Sequence, residues 1–276
     1  MQQAGKTILI SGAGSGLGQQ LAESLAAEGY TVFACLRDTS KAPHFLNTSI
    51  HILPMDVCKE ASVEEALKQL KEKYGVQQLD VLINNAGIVV PGPLENLTAL
   101  EIKEQFEVNV FGVLSVTQKF LPLLKNAEGK IINIGSMSSR MALPFIGLYG
   151  ASKASLKHIS WALRIELHPW KVGVFHFELG NFESPIWKKS INRSHEANTK
   201  GYEEALKNTS TLMESRAAQF NSIDCLLKPI KKTIENKNRR FNTLIGNDAR
   251  MRKFITWLFP YAILENILLK KIYRKK

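Results

Sequence analysis

Apolar positions along the chain follow two rhythms. Short continuous runs of aliphatic and β-branched residues occur at Lys6–Ser11, Thr31–Leu36, His51–Val57, Leu79–Ile83, Lys130–Ile134, Lys171–Phe177 and Phe241–Gly246. Runs of this length read as strands buried on both faces. Between them lie segments with apolar residues three and four apart, Leu17–Glu28, Ala61–Tyr74, Glu101–Leu124 and Leu148–Leu167, the last with the stripe Leu156, Ile159, Leu163 and Leu167. These read as helices that cover a sheet. Strand and helix in this alternation predict an α/β fold with a doubly wound parallel sheet of about seven strands, whose ligands sit beyond the strand C-termini.

The rhythm weakens twice. From Phe182 to about Phe220 polarity is mixed, with isolated apolar points at Ile186, Trp187, Tyr202 and Leu206. This stretch is expected to be a substrate lid, or else an ordinary surface helix. From Arg250 to Lys276 bulky apolar residues (Phe254, Trp257, Leu258, Phe259, Ile263, Leu264, Ile267, Leu268) alternate with clustered Lys and Arg, and Pro260 divides the run. Glu265 and Asn266 interrupt it, which argues against a membrane span and for an amphipathic helical pair.

Glycines placed after the first strand bring in chemistry. Gly12, Gly14, Gly16 and Gly18 join that strand to a helix, so backbone amides can approach a diphosphate at the helix's positive end. The spacing is Ser11-Gly12-x-x-x-Gly16-x-Gly18, and Leu17 or Gln19 takes the place of the third glycine of GxGxxG. The second strand ends Cys35-Leu36-Arg37-Asp38. An acidic residue at Leu36 would bind a ribose 2′-hydroxyl; Arg37 instead suits a 2′-phosphate, which favours NADP(H) over NAD(H), with Asp38 the remaining route to NAD. Asp56-Val57 ends the third strand, and Asn84-Asn85-Ala86-Gly87 closes the fourth with small residues suited to a close cofactor approach, or with a plain turn.

Tyr149 and Lys153 are four apart on one helix and so share a face. A fixed cation near a phenol lowers its pKa from about 10 and makes it a usable acid and base. Asn109 lies in the middle of a helical segment, flanked by Val108, Val110 and Phe111, and reads as a buried functional amide or else an exposed polar residue. Ser136, Ser138 and Ser139 follow the fifth strand, and any of the three can donate to a carbonyl oxygen.

Composition narrows the class. With 276 residues, 45% of them hydrophobic, the chain can bury one large core. Cys35, Cys58 and Cys225 are few and far apart, which fits neither a disulfide framework nor a zinc site, and no metal is expected. No secretory signal is read at the N-terminus, so a cytoplasmic protein is expected and the sequons at Asn47, Asn96, Asn192 and Asn208 are taken as incidental. From Lys228 onward 14 Lys and Arg face only Glu235, Asp248 and Glu265, so this end carries the chain's whole net charge of +11. Nucleic acid fits poorly, since no recognition motif accompanies the charge. An anionic membrane surface, the substrate entrance, or packing against the body or a partner subunit are the readings of the tail.

With these residues in place the chain resembles the short-chain dehydrogenase/reductase family from about Lys6 to Gly246. The resemblance rests on the glycine motif, Asp56-Val57, Asn84-Asn85-Ala86-Gly87, Asn109, Ser136 and Tyr149-x-x-x-Lys153, in the family's order and spacing. It implies a Rossmann-type catalytic domain over 1–246 and an extension over 247–276. It also implies Asn109, Ser136, Tyr149 and Lys153 as the catalytic set. Tyr149 would exchange a proton with the substrate oxygen, Ser136 polarise the carbonyl, Lys153 lower the tyrosine pKa and hold the nicotinamide ribose, and Asn109 support a water relay. Position thirteen before the tyrosine selects Ser136 among the three serines. Ser11, Gly12, Ser15, Gly16, Leu17, Gly18, Arg37, Asp56, Val57, Asn85, Ala86, Gly87, Tyr149, Lys153 and Gly180 are implied as cofactor-binding residues, in a homodimer or homotetramer. The family's Pro-Gly after the sixth strand appears here as Leu179-Gly180, and its threonine has no counterpart in Asn181-Phe182-Glu183-Ser184. This run is most like the hydroxysteroid, retinol and hydroxybutyrate dehydrogenase branch.

Val89, Val90, Pro91, Leu143, Phe145, Ile146, Phe182 and Trp187 fall in segments bordering the substrate side. An apolar set of that size points to a hydrophobic ketone or aldehyde and its alcohol. The rivals are an NAD-dependent hydroxysteroid, retinol or hydroxy-acid dehydrogenase and a cofactor-binding scaffold without turnover.

Overall fold

The computed structural model describes residues 5–141, 143–182, 186, 199–217, 220–236 and 240–273. Seven strands form one parallel sheet: β1 (Thr7–Ser11), β2 (Thr31–Leu36), β3 (Ile50–Pro54), β4 (Val81–Asn84), β5 (Lys130–Ser136), β6 (Gly173–Leu179) and β7 (Asn242–Ile245). Their order is β3-β2-β1-β4-β5-β6-β7, so the winding reverses between β1 and β4, and that is where the strand ends open a crevice.

Helix α1 (Gly16–Ala27) and helix α7 (Asp224–Ile234) cover one face, burying Leu21, Leu25, Leu226 and Ile230 against Ile8, Ile10, Ile132 and Phe177. On the other face α2 (Glu60–Glu72) and α4 (Gly112–Asn126) bury Val63, Leu70, Val116 and Phe120 against Leu9, Phe33, Leu82 and Ile131. Helix α5 (Gly147–Glu166) crosses the same face beside β5 and β6.

Two departures from the periodicity matter for the site. The single helix expected over Glu101–Leu124 is α3 (Ala99–Phe106), a π turn over Glu107–Phe111, and α4. The wider turn interrupts the ordinary ladder, and Asn109 within it is fully buried. The tail splits at Pro260 into α8 (Asn247–Leu258) and α9 (Tyr261–Ile272). Helix α9 lies on α6 (Glu203–Ala217), the helix described within the segment expected to be a lid; residues 183–185, 187–198, with Trp187, and 218–219 of that segment lie outside the described residues.

A polar row crosses the sheet in register, Asn84 beside Asn133, Asn133 beside His176, His176 beside Asn242. Asn84 donates to Thr117 Oγ1 on α4 (3.1 Å) and to Asn133 Oδ1 (2.8 Å), and Asn133 donates to Ser160 Oγ on α5 (2.8 Å). Asn242 donates to Glu178 Oε1 (2.9 Å), a fully buried carboxylate that also pairs with Arg140 and Lys157.

Candidate active site

The crevice begins at the glycine turn. Gly12 has φ +68°, and a Cβ there would lie 2.7 Å from Ala86 Cα; one on Gly18 would lie 2.4 Å from Gly12 O. Glycine is therefore required by both backbone conformation and contact. Ser11 Oγ accepts the backbone N–H groups of Asn85 and Ala86 (3.1 Å each), and Asn85 Nδ2 donates to Ser11 O and Gly12 O (3.1 Å each). Side chains of the two motifs thus stitch the β1 and β4 ends together, while Asn84 turns into the polar row.

A cleft of about 580 Å³ opens there, lined by Gly12, Ser15, Leu17, Gly18, Arg37, Asp56, Val57, Asn85, Ala86 and Gly87 among the expected cofactor residues. Ser15 makes no side-chain cap and the first turn of α1 carries no acidic residue, so the helix presents its positive end to the cleft. A switch-point cleft of small residues over such a helix end fits a dinucleotide with its diphosphate at α1. Arg37 is exposed beside Lys41, which also lines the cleft and which sequence reasoning missed. Asp38 lines the cleft as well, its carboxyl accepting from Ser40 Oγ (2.6 Å) and Ser40 N–H (3.1 Å) with Lys41 Nζ 3.5 Å away. The Ser40 bonds, then Lys41, hold its carboxyl below the usual range.

Beyond Gly87 lies the expected catalytic set. A Cβ on Gly87 would sit 3.3 Å from Asn109 Oδ1 and 3.6 Å from Lys153 Nζ. Tyr149 and Lys153 are both buried on the first turns of α5, and the Tyr149 hydroxyl is hydrogen-bonded to Ser136 at the end of β5. The other two serines fold back on this one: Ser138 N–H donates to Ser136 Oγ (3.1 Å) and Ser139 Oγ to Ser136 O (2.8 Å). Lys153 Nζ donates to Ile134 O (2.9 Å) and stands 5.9 Å from the Tyr149 ring centroid. Burial pushes the Tyr149 phenol up, with the Ser136 bond opposing it, and pushes the Lys153 ammonium down to about 8. Burial, and not the lysine, sets the direction of the Tyr149 shift, so the lowering expected from Lys153 does not appear.

Asn109 closes the set from the π turn. Its Oδ1 accepts Ile88 N–H (2.9 Å), and its Nδ2 donates to Ile88 O (3.0 Å) and Ser152 Oγ (3.0 Å). Gln105, one turn earlier and fully buried, holds the same strand end by accepting Val90 N–H (2.7 Å) and donating to Ile88 O (2.9 Å). Gln105 and Ser152 were not foreseen; the available signal was a second amide four residues before Asn109 on one helical face.

On the substrate side Val89, Ile146 and Tyr149 form an apolar cluster with Leu143 and Ile186. Phe145 (φ +64°) instead packs under α6 and α9, against Tyr202, Ala205 and Ile272, and Phe182 lies in the main core. Neither of those two expected wall residues belongs to the cluster at Tyr149. Gly180 is outside the cleft lining and lies against Asp248 of α8.

Residues 6–195 match the family described as short chain dehydrogenase. The chain is 32% identical over 240 residues to a 3-ketodihydrosphingosine reductase of Bacteroides thetaiotaomicron, covering 87% of each. It is 28% identical to an NADPH-dependent 1-acyldihydroxyacetone phosphate reductase of Saccharomyces cerevisiae, over 98% of this chain and 92% of that one. The crystal structure of a 3-ketoacyl-(acyl-carrier-protein) reductase from Brucella melitensis complexed with NADH superposes with a TM-score of 0.71 at 26% identity, covering 87% of this chain and 96% of that one.

Proposed function

The chain belongs to the short-chain dehydrogenase family, as an oxidoreductase using a nicotinamide cofactor, and on that premise we propose that it reduces a hydrophobic, acyl-bearing ketone to its alcohol, reversibly, with NADP(H) preferred. The observation that carries this reading is the apolar cluster around the Tyr149 phenol, which favours an alkyl-bearing carbonyl over a sugar. The keto and acyl compounds named for the relatives point the same way.

When bound, the nicotinamide supplies the hydride to the carbonyl carbon or takes it back. Tyr149 gives its phenolic proton to the substrate oxygen as the carbonyl becomes an alcohol, and Ser136, already bonded to that phenol, holds the same oxygen. Lys153 stabilises the phenolate and returns a proton to it, while Asn109 fixes the strand end at Ile88 beside the reacting groups. Toward the adenosine end, Arg37 and Lys41 favour a 2′-phosphate, and the Asp38 carboxylate is committed to Ser40. The glycine turn completes the proposed cofactor set.

The tail supports a further element of this reading. Trp257 and Tyr261 are 79% and 80% exposed on a segment rich in Lys and Arg, and among the described residues no helix is long and apolar enough to cross a membrane. We propose that α8 and α9 rest on an anionic bilayer, from which an acyl-bearing substrate is drawn. Phe111, Trp161 and Ile165, also exposed, are proposed to be covered in a homo-oligomer.

A panel of acyl ketones, sugars and hydroxysteroids assayed for NADPH consumption tests the reading. Turnover of acyl ketones that Tyr149→Phe abolishes is expected; turnover confined to sugars would sink it. Anionic vesicles should sediment the full chain and leave a chain ending at Gly246 in solution.

A further inference from the structure

The β6 exit runs beside the proposed catalytic serine, because Leu179 pairs in register with Ser136. The next two residues are held by a side chain from the C-terminal extension. Asp248, in the first turn of α8, accepts Asn181 N–H on Oδ2 (3.0 Å) and Asn221 Nδ2 on Oδ1 (2.9 Å). Asn221 in turn donates to Asn181 O from both its backbone N–H and its Nδ2 (2.8 Å each). Gly180 N–H donates to Ile245 O (2.8 Å), and a Cβ on Gly180 would lie 2.1 Å from Asp248 Oδ1. The carboxylate thus fills the space over Gly180 and answers the Asn181 and Asn221 donors.

The same helix packs against the Met137–Ser139 turn, which follows Ser136 and bonds back to it. One helix therefore meets both chain segments that flank the serine, the β5 exit and, through Asp248, the β6 exit. No proline stiffens the β6 exit, since Leu179 precedes Gly180. The fixed geometry of this exit comes from hydrogen bonds made by residues about 40 and 70 positions later in the chain.

We propose that Asp248 is a positioning residue for the reaction: through Asn181 and Asn221 it holds the wall beside Ser136, which makes the C-terminal extension a working part of the active site. This rests on the reading of Ser136 and Tyr149 as the reacting pair. Asp248 is not among the residues lining the cleft, so its loss should misplace the reacting oxygen while leaving the adenosine and diphosphate contacts intact.

Asp248→Asn keeps the size of the side chain and turns one acceptor into a donor facing a donor. With the preferred acyl ketone, kcat should fall about tenfold, since small misplacements of reacting groups cost rate steeply. NADPH affinity by fluorescence titration should stay within about twofold, because ground-state cofactor contacts are unchanged. Asp248→Ala should lower kcat at least as far, and adding Asn221→Ala to it should lower kcat no further, because both act through one network. Wild-type kcat in Asp248→Asn, with or without a lower thermal midpoint, overturns the proposal; if Asp248→Ala fails to fold, the Asn variant decides. Tyr149→Phe run alongside separates the two failures. Its loss of turnover with an unaffected Asp248→Asn removes this proposal alone, whereas full turnover in Tyr149→Phe removes the catalytic reading and this inference together.

Discussion

Ser152 links Asn109 to the backbone of Tyr149: it receives Asn109 Nδ2 at 3.0 Å and donates to Tyr149 O at 2.8 Å. Ser152→Ala removes the acceptor and leaves a buried amide N–H with Ile88 O alone. Unfolding by urea should show a loss of about 1–3 kcal/mol, the usual cost of a buried group deprived of its partner. A midpoint equal to wild type would show the bridge to be dispensable.

Arg37 and Lys41 flank the part of the cleft proposed for the 2′-phosphate. Arg37→Ala should raise KM for NADPH about tenfold, the equivalent of one charge-assisted hydrogen bond, and leave KM for NADH nearly as it was. Lys41→Ala should act in the same direction and more weakly. Equal losses with both cofactors would remove the specificity role.

Burial holds Lys153 at about 8, against 10.5 for an ordinary lysine. A folded-state pKa below the unfolded one means that the unfolded chain binds the extra proton between these values, so stability rises with pH from 8 to 10.5 and falls as pH drops through 8. Lys153→Met should flatten that part of the stability curve, with a difference on the order of 3 kcal/mol between its ends. Parallel curves for wild type and variant, from denaturant titrations at each pH, would show the ammonium to be unpenalised.

His176 behaves similarly at acid pH. Burial pushes it down to about 3 from 6.5, only partly offset by Glu178, so its contribution is intact above 6.5 and is lost as pH falls toward 3. His176→Gln should cut the slope of unfolding free energy between about pH 6 and pH 4 by about 1.4 kcal/mol per unit. The slope, unlike the absolute stability, is insensitive to the altered packing. An unchanged slope would place the acid sensitivity elsewhere.

The strand and helix order was legible because a parallel sheet covered on both sides imposes apolar runs and amphipathic segments of set length. The glycine turn, Asn109, Tyr149 and Lys153 were legible as candidates because each is a residue type that the surrounding pattern would not otherwise place there, whereas Ser136 stood out from Ser138 and Ser139 only by the family's spacing. The π turn was not: it changes the backbone by one residue within a segment whose periodicity reads as continuous helix. Asp248 was hidden for a different reason. Its partners Asn181 and Asn221 are brought to it by tertiary packing, and nothing in the local sequence distinguishes it from any acidic residue in a first helical turn. Phe145 and Phe182 were placed on the substrate wall from their segment alone, and the face each side chain takes is set by α6, α9 and the sheet.

The row Asn84, Asn133, His176 and Asn242 has a consequence for how the sheet assembles. Side chains alternate faces along a strand, so a one-residue slip in β4, β5 or β6 would carry its amide or imidazole to the face covered by α1 and α7. That layer is apolar, and an unbonded polar group there costs several kcal/mol by typical transfer values of roughly 2–7 kcal/mol. Correctly aligned, Asn84 and Asn133 find Thr117, Ser160 and each other. Asn84 and Asn133 therefore act as an alignment mark: they penalise shifted pairings of otherwise interchangeable aliphatic strands, and so help bring the ends of β4 and β5 level beneath the site.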